Sequence, residues 1–107
     1  MPSNPWCKSV TITSASKAYS LLSLMQAVDK AAPPRCCKLN IQLDTGAAGA
    51  NLYVGNEDVS ATNFGAHLNA GQVFVIENGE TDRIVLSQLY LFADTESLQV
   101  NVAALVY

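Results

Sequence analysis

Apolar and polar residues alternate in short runs along most of the chain after residue 36, and this period of two limits the folds that the chain can adopt. In the run 37–43 the apolar side chains occupy every second position, at Cys37, Leu39, Ile41 and Leu43. Alternate side chains of a strand point to opposite faces, so this run predicts a half-buried strand. Further strand patterns cover residues 9–13, 52–54, 72–77, 82–93 and 98–107, with turn residues between them. The sequence therefore predicts a mainly β fold, an antiparallel β-sandwich with a jelly-roll-like arrangement.

One segment has helical periodicity instead. Residues 16–31 place their apolar side chains on one stripe of a helix, at Leu21, Met25 and Val28. Ser14 or Ser16 is the expected N-cap. Pro33 and Pro34 must end the helix, because the residue before a proline disfavours helical geometry. We expect a single short helix near the N-terminus.

The composition indicates one domain whose surface carries few charges. The 107 residues fit a single β-sandwich domain at 1–107, with an N-terminal arm at residues 1–8. Half of the residues are hydrophobic and 14% are charged, so we expect neighbouring subunits to cover part of the surface in a homo-oligomer. The formal net charge is −3 and no basic cluster is present, which argues against nucleic-acid binding.

The three cysteines, Cys7, Cys36 and Cys37, predict free thiols. Adjacent cysteines could bridge each other only through a strained ring, and a reducing compartment is the simpler interpretation. Structural zinc needs four nitrogen or sulfur ligands, and the single histidine, His67, is distant from the cysteines in sequence. We therefore expect no metal and no cofactor.

Two stretches bear on location. The first ten residues lack the basic segment and apolar core of a signal peptide. The longest apolar stretch, residues 18–28, is too short to span a membrane and contains serines and a glutamine. We expect a protein that is made in a cytoplasm and has no membrane partner.

The tripeptide Asp44-Thr45-Gly46 is the one motif that suggests a catalytic site. In aspartic proteases of the retroviral kind each subunit supplies such a tripeptide, and a dimer pairs the two carboxylates. Those enzymes also need a flap before a later apolar-apolar-glycine segment, whereas Tyr53-Val54-Gly55 follows here at once. An aspartate bonded to the backbone two residues on, with a glycine at positive φ, makes an ordinary turn. We predict such a turn, joining strands 37–43 and 52–54 as a hairpin, and keep the dimeric protease as a minor alternative.

Other catalytic arrangements lack their residues. Nothing near His67 resembles a nucleophile elbow, and the glycine spacing matches neither a phosphate loop nor a dinucleotide fingerprint. We therefore expect that the protein is not an enzyme. A carbohydrate-binding module with an aromatic platform is a further alternative. Most of the aromatic residues lie in strand patterns, which favours core or sheet-face positions: Tyr53, Phe74, Tyr90 and Phe92.

Residues 51–77 carry a sequence of turns and strands that resembles small structural proteins of tailed bacteriophages. Its elements are Tyr53-Val54-Gly55, Asp58-Val59-Ser60, the turn 68–71 and the strand that begins at Val73. The segments upstream, residues 10–27 and 37–44, look like the first strand, helix and next strand of the same layout. We expect the turn 68–71 to carry the chain into the opposite sheet of the sandwich.

The resemblance implies a virion structural protein. The function it favours is that of a homotrimeric capsid cement or decoration protein, which lies on the capsid surface and binds between subunits of the major capsid protein. A tail, neck or head-fibre component is the alternative that it leaves open. Such proteins act by contact, so the candidate interface residues are Trp6 in the arm and Phe64 and His67 in the loop 63–71, since large aromatics are common interface anchors. Local packing of Trp6 and Phe64 within the domain is the competing interpretation.

Overall fold

The computed structural model describes residues 4–77 and 81–106. In those ranges the strands are β1 (Asn4–Ile12), β2 (Ala18–Ser20), β3 (Arg35–Cys36), β4 (Lys38–Leu43), β5 (Leu52–Gly55), β6 (Ala66–Leu68), β7 (Val73–Glu77), β8 (Ile84–Val85), β9 (Tyr90–Ala93) and β10 (Leu98–Val106). The α-helix α1 spans Leu21–Val28, and a short 3₁₀ helix spans Leu86–Gln88. Asn78 and Gly79, which the sequence indicates as a turn between the predicted strands 72–77 and 82–93, and the first three residues of the arm lie outside the described residues.

Eight of the described strands form two four-stranded antiparallel sheets. The front sheet has the order β1-β10-β4-β7 and the back sheet the order β2-β9-β5-β6. Strands β3 and β8 pair with each other as a small separate ribbon. This architecture confirms the predicted antiparallel β-sandwich with one helix.

The core lies between the two sheets and is built by the alternation seen in the sequence. Strand β4 buries Leu39, Ile41 and Leu43 and turns the polar residues that alternate with them, Lys38, Asn40 and Gln42, outward. Inward side chains of the back sheet, such as Leu52 and Leu91, meet them from the other side. Helix α1 adds its own buried residues to the same core, Leu21, Leu24 and Met25. Each fully buried leucine or isoleucine side chain contributes about 1.5–3 kcal/mol.

Strand β1 is longer than the predicted run 9–13. It begins at Asn4, which pairs with Val106, and every residue up to Ile12 continues this ladder along β10. Residues 4–8, which the sequence assigned to an arm, therefore belong to the front sheet. The reason is long-range: β10 is nine residues long and supplies a partner for each of them.

Helix α1 is shorter than the predicted 16–31. Ser16 has a φ of 59°, outside the right-handed helical region, and its N–H donates to the carbonyl of Ala93. Residues Ala18–Ser20 then pair with β9, which leaves Ser20 at the N-cap position without a side-chain hydrogen bond. Neither predicted serine caps the helix. At the other end the extended Asp29 stops it four residues before Pro33.

Two predicted connections differ in outcome. Strand β4 lies in the front sheet and β5 in the back sheet, so the loop 44–51 crosses between sheets and the predicted hairpin is wrong. The turn 68–71 carries the chain from β6 in the back sheet to β7 in the front sheet, as predicted. Its Gly71 has a φ of 81° and donates its N–H to the carbonyl of Leu43. Within the described residues, no helix has the length and apolar character needed to cross a membrane.

Candidate interaction site

Aromatic side chains gather on the outer face of the back sheet. Strands β5, β6 and β9 bury Leu52, Val54, Leu68 and Leu91, so the residues between these positions point outward. Four ring-bearing side chains are among these outward residues: Tyr53, His67, Tyr90 and Phe92. Tyr53 stands opposite His67 on one side and opposite Phe92 on the other. Together with Phe64 from the preceding loop, these residues form what we call the aromatic face.

Tyr53 is the centre of the aromatic face. Its ring stacks on that of His67 with centroids 4.7 Å apart and planes 14° apart. The ring of Phe64 lies 4.9 Å away at a tilt of 45°, and that of Phe92 lies 6.1 Å away. Aromatic pairs at these distances contribute about 0.5–1.5 kcal/mol beyond the area they bury. Tyr53 is half-buried by its neighbours, whereas Phe64 stays 45% exposed and His67 is exposed.

The loop 56–65 holds Phe64 over the end of β5. The N–H of Gly65 donates to the carbonyl of Val54 at 2.7 Å, and the side-chain amide of Asn63 donates to the carbonyl of Asp58 at 3.1 Å. A Cβ on Gly55 would lie 3.1 Å from Cγ2 of Val59, so a larger residue here would press on Val59 where this loop folds back. The exposed ring of Phe64 is thus presented by a loop with its own hydrogen bonds.

A network of polar side chains fixes the other side of the face. Asn51 donates from Nδ2 to Oδ2 of Asp94 at 2.7 Å, and its Oδ1 accepts from Nδ2 of Asn69 at 2.9 Å. Because Oδ1 can only accept, Nε2 of His67, 2.7 Å away, must carry a proton and donate to it. The bond holds the imidazole in place against Tyr53.

Asp94 is the ionised member of this network. Hydrogen bonds from the Asn51 side chain, and more weakly from the Asn51 backbone and Thr95, lower the pKa of its carboxyl below the ordinary value. The carboxylate therefore stays charged at neutral and mildly acidic pH, and the network keeps its acceptor there.

The three sequence-predicted interface residues do not lie together. Phe64 and His67 are both on the aromatic face, with ring centroids 5.9 Å apart. Trp6 is only 8% exposed and belongs to the core, where its Nε1 donates to Oδ2 of Asp29 at 3.0 Å. Local packing is therefore the interpretation that the structure supports for Trp6, because β1 turns Trp6, Val10 and Ile12 inward.

Asp44 lies in a turn. Its Oδ2 accepts the N–H of Gly46 at 3.0 Å, which is the bond to the backbone two residues on that the sequence predicted. Gly46 does not have a positive φ, so that part of the prediction is wrong; among the described glycines only Gly49 and Gly71 do. Glycine fits here because a Cβ would lie 3.0 Å from the aspartate Oδ2.

The cysteines have different environments. Cys7 is exposed on β1, whereas Cys36 and Cys37 are buried. Burial, with a smaller effect of the neighbouring Cys37 and of Asp82, raises the pKa of the Cys36 thiol to about 11. The Cys37 thiol donates to the carbonyl of Leu105 at 3.1 Å. Across residues 4–77 and 81–106, no three His, Cys, Asp or Glu side chains are grouped as a metal site would need.

We predict that the native protein reacts rapidly with one equivalent of an aromatic disulfide reagent at pH 8, at Cys7. About one Cys36 thiol in a thousand is ionised at that pH, and burial blocks access to both adjacent cysteines. The measurement is a thiol titration with and without denaturant. Cys7→Ser should remove the fast reaction, and a fast reaction at two or more cysteines in the native protein would contradict this assignment.

Of the aromatic face, sequence reasoning named only Phe64 and His67 as interface residues. Tyr53 and Phe92 occupy outward positions in runs whose inward positions are Leu52, Val54 and Leu91, so their parity was readable. Asn51 and Asp94 gave no signal, because they are 43 residues apart and meet only when β5 pairs with β9. No protein-family model, curated protein or solved structure matches this chain.

Proposed function

We propose that this chain is a structural protein of a bacteriophage virion, a capsid cement or decoration protein whose aromatic face contacts the major capsid protein. The observation that carries the proposal is the exposed pair Phe64 and His67, held on a rigid platform by Tyr53. The protein acts by contact and not by catalysis, and it lies on the capsid surface.

The aromatic face has the properties of an interface anchor. Aromatic residues are enriched where protein interfaces bury most of their energy, and charged residues are depleted there. The rings are already ordered, because His67 is hydrogen-bonded to Asn51 and Phe64 is presented by a hydrogen-bonded loop. A surface ordered before binding loses less side-chain entropy when the partner arrives.

The strand pairing supports the jelly-roll arrangement that the sequence led us to expect. The pairs β1–β10, β2–β9, β4–β7 and β5–β6 are nested, with each later pair enclosed in sequence by the earlier one. Jelly rolls occur in viral capsid domains and in lectins. A fold alone does not define a function, so this likeness is an analogy and the aromatic face carries the argument.

The segment with the phage-like pattern is also the segment that builds the face. Residues 51–77 contribute Tyr53 through β5, His67 through β6 and Phe64 through the loop between them. A neck, tail or head-fibre protein would bind a different partner through the same face. Cryo-electron microscopy of the mature particle, described below, distinguishes these locations.

We predict that Phe64→Ala weakens binding to purified capsids of the source phage by about 30-fold, the loss that truncation of an interface anchor causes. Val28→Ala is the matched control, because Val28 is 47% exposed but lies at the end of α1, away from the aromatic face. Binding is measured by co-sedimentation with capsids that lack the protein. An equal loss of capsid binding in both variants would argue against the aromatic face as the binding surface.

The location itself is tested by cryo-electron microscopy of the mature particle. Density for the chain at junctions between major capsid subunits is the expected result. Density confined to the neck, tail or fibres would replace the cement role with the alternative, and absence of the protein from the particle would refute the virion proposal.

Carbohydrate binding is the second candidate, because the aromatic face lies beside polar groups that could orient a sugar. Phe64 borders a hollow whose other lining residues are Gly55, Asn56, Asn63 and Gly65. An apolar ring beside amide groups is the usual composition of a small-ligand site. A glycan array that binds the native chain but not Phe64→Ala would favour this function, and an array without binding would exclude it.

A further inference from the structure

Each sheet of the sandwich ends in two edge strands, and these four edges are not equally protected. The back sheet ends in β2 and β6, which are only three residues long. The front sheet ends in β1 and β7, which are longer. An unpaired edge offers backbone N–H and C=O groups to any other strand, and proteins protect such edges with short strands, prolines or charges.

Strand β1 carries such protection. Pro5 has no N–H to donate, and Lys8 occupies a position whose neighbours in the alternation, Trp6 and Val10, are buried. Lys8 is nevertheless exposed. Its charged side chain therefore lies at this edge of the sheet, although the alternation of β1 would place it on the inner face. Helix α1 also packs beside β1, where Trp6 donates to Asp29.

Strand β7 lacks these protective features. It has no proline, and its only charged residue is Glu77 at the end of the strand. Its outward residues Val73 and Val75 are 49% and 51% exposed, which is unusual for valine on a strand of a small domain. Among the described residues, β4 is the only strand that pairs with it.

We propose that β7 pairs with β7 of a second copy of this chain, antiparallel and about a two-fold axis at Val75. A backbone edge is satisfied by another strand, so the occupant is a strand and not a loop or a helix. A two-fold pair needs a self-complementary edge, and β7 has one. The pairing joins two front sheets into one continuous eight-stranded sheet.

The side chains of β7 fit this register. Val75 lies opposite Val75 of the second copy, with the two Val73 side chains next to them on the same outer face. On the inner face, Phe74 lies opposite Ile76 of the second copy. Both of these residues are only partly buried and already pack against the core, so the pairing extends each core across the interface.

The charge at the end of β7 does not oppose the pairing. Glu77 stands opposite Lys38 on β4, within its own chain. In the proposed register, Glu77 faces the uncharged Val73 of the second copy, so no like charges meet across the axis. The inferred pair is two-fold, and it replaces the trimer that the phage resemblance implies.

The inference goes beyond the proposed function and does not depend on it. The β7 edge belongs to the front sheet, whereas Phe64 and His67 lie on the outer face of the back sheet. Two copies joined at β7 leave both aromatic faces free, so each dimer would offer two contacts to a capsid.

The test is sedimentation velocity of the native chain and of Val75→Lys over a range of concentrations. We expect the native chain to reach twice its mass of 11.4 kDa as its concentration rises. Val75→Lys should weaken the dimer at least about tenfold, because two lysines would face each other across the axis. Val28→Lys makes the same change at a residue of similar exposure on α1 and should leave the dimer unchanged.

Backbone hydrogen exchange gives an independent readout. The β7 amides that face the edge should exchange more slowly at high than at low protein concentration, and this difference should disappear in Val75→Lys. A native chain that stays monomeric, forms a trimer, or dimerises equally well as Val75→Lys would overturn the inference. Capsid binding by a monomeric native chain would overturn it while leaving the proposed function intact.

Discussion

Replacing Trp6 with alanine is expected to lower the free energy of unfolding by about 3–5 kcal/mol, the usual cost of removing a large buried aromatic side chain. Trp6 is 8% exposed within the core. Its Nε1 also donates to Asp29 at the end of α1, so the indole joins the front sheet to the helix. Truncation removes the packing and the hydrogen bond together. Chemical denaturation followed by circular dichroism measures the loss.

Trp6→Phe separates the two parts of this effect. It keeps most of the buried ring but cannot donate to Asp29, so we expect a smaller loss that includes about 1 kcal/mol for the hydrogen bond. Capsid binding of the folded Trp6→Phe variant should equal that of the native chain. A variant of unchanged stability that lost capsid binding would instead restore Trp6 as an interface anchor.

Ile41→Ala is the second change with a large expected effect, about 2–5 kcal/mol of unfolding free energy. Ile41 lies in the middle of β4, which has β10 on one side and β7 on the other, and it is fully buried. Because strands hold the backbone around it from both sides, the cavity cannot collapse easily. The measurement is the same denaturation experiment.

A graded pair of controls belongs with this prediction. Ile41→Val removes one methylene group and should cost about 0.5–1.5 kcal/mol. Gln99→Ala changes an exposed outward side chain on the neighbouring strand and should stay within about 0.5 kcal/mol of the native value. A loss below that of Ile41→Val in the alanine variant would show that β4 does not lie at the centre of the core.

The sequence predicts a strand where the alternation of apolar and polar residues is strong. It does not predict which other strand pairs with it. The runs containing β4 and β10 each have a clear apolar parity, and each forms a strand. The hairpin predicted for β4 and β5 was wrong, because a sequence run shows which face is buried but not which sheet the next strand joins. The predicted start of the helix was wrong for a related reason, because Ala18–Ser20 pair with β9 in the back sheet.

The candidate site was predictable only in part. Phe64 and His67 were named from residue type and loop position, and they lie on the aromatic face. Trp6 was named on the same grounds and is buried, because the partner of residues 4–8 is a strand about a hundred residues away. The polar network around Asn51 could not be predicted for the same reason, since Asn51, Asn69 and Asp94 lie next to the ends of three different strands.

The pairing of β1 with β10 also constrains how the molecule reaches its fold. Residues Asn4 and Val106 are partners in one ladder, so β10 must be synthesised before β1 has anything to pair with. Contacts between residues so far apart in sequence carry a large loop-closure entropy and slow folding to the millisecond-to-second range typical of such sheets. Until β10 pairs with it, β1 offers an unpaired strand edge, and such edges favour association between incompletely folded chains.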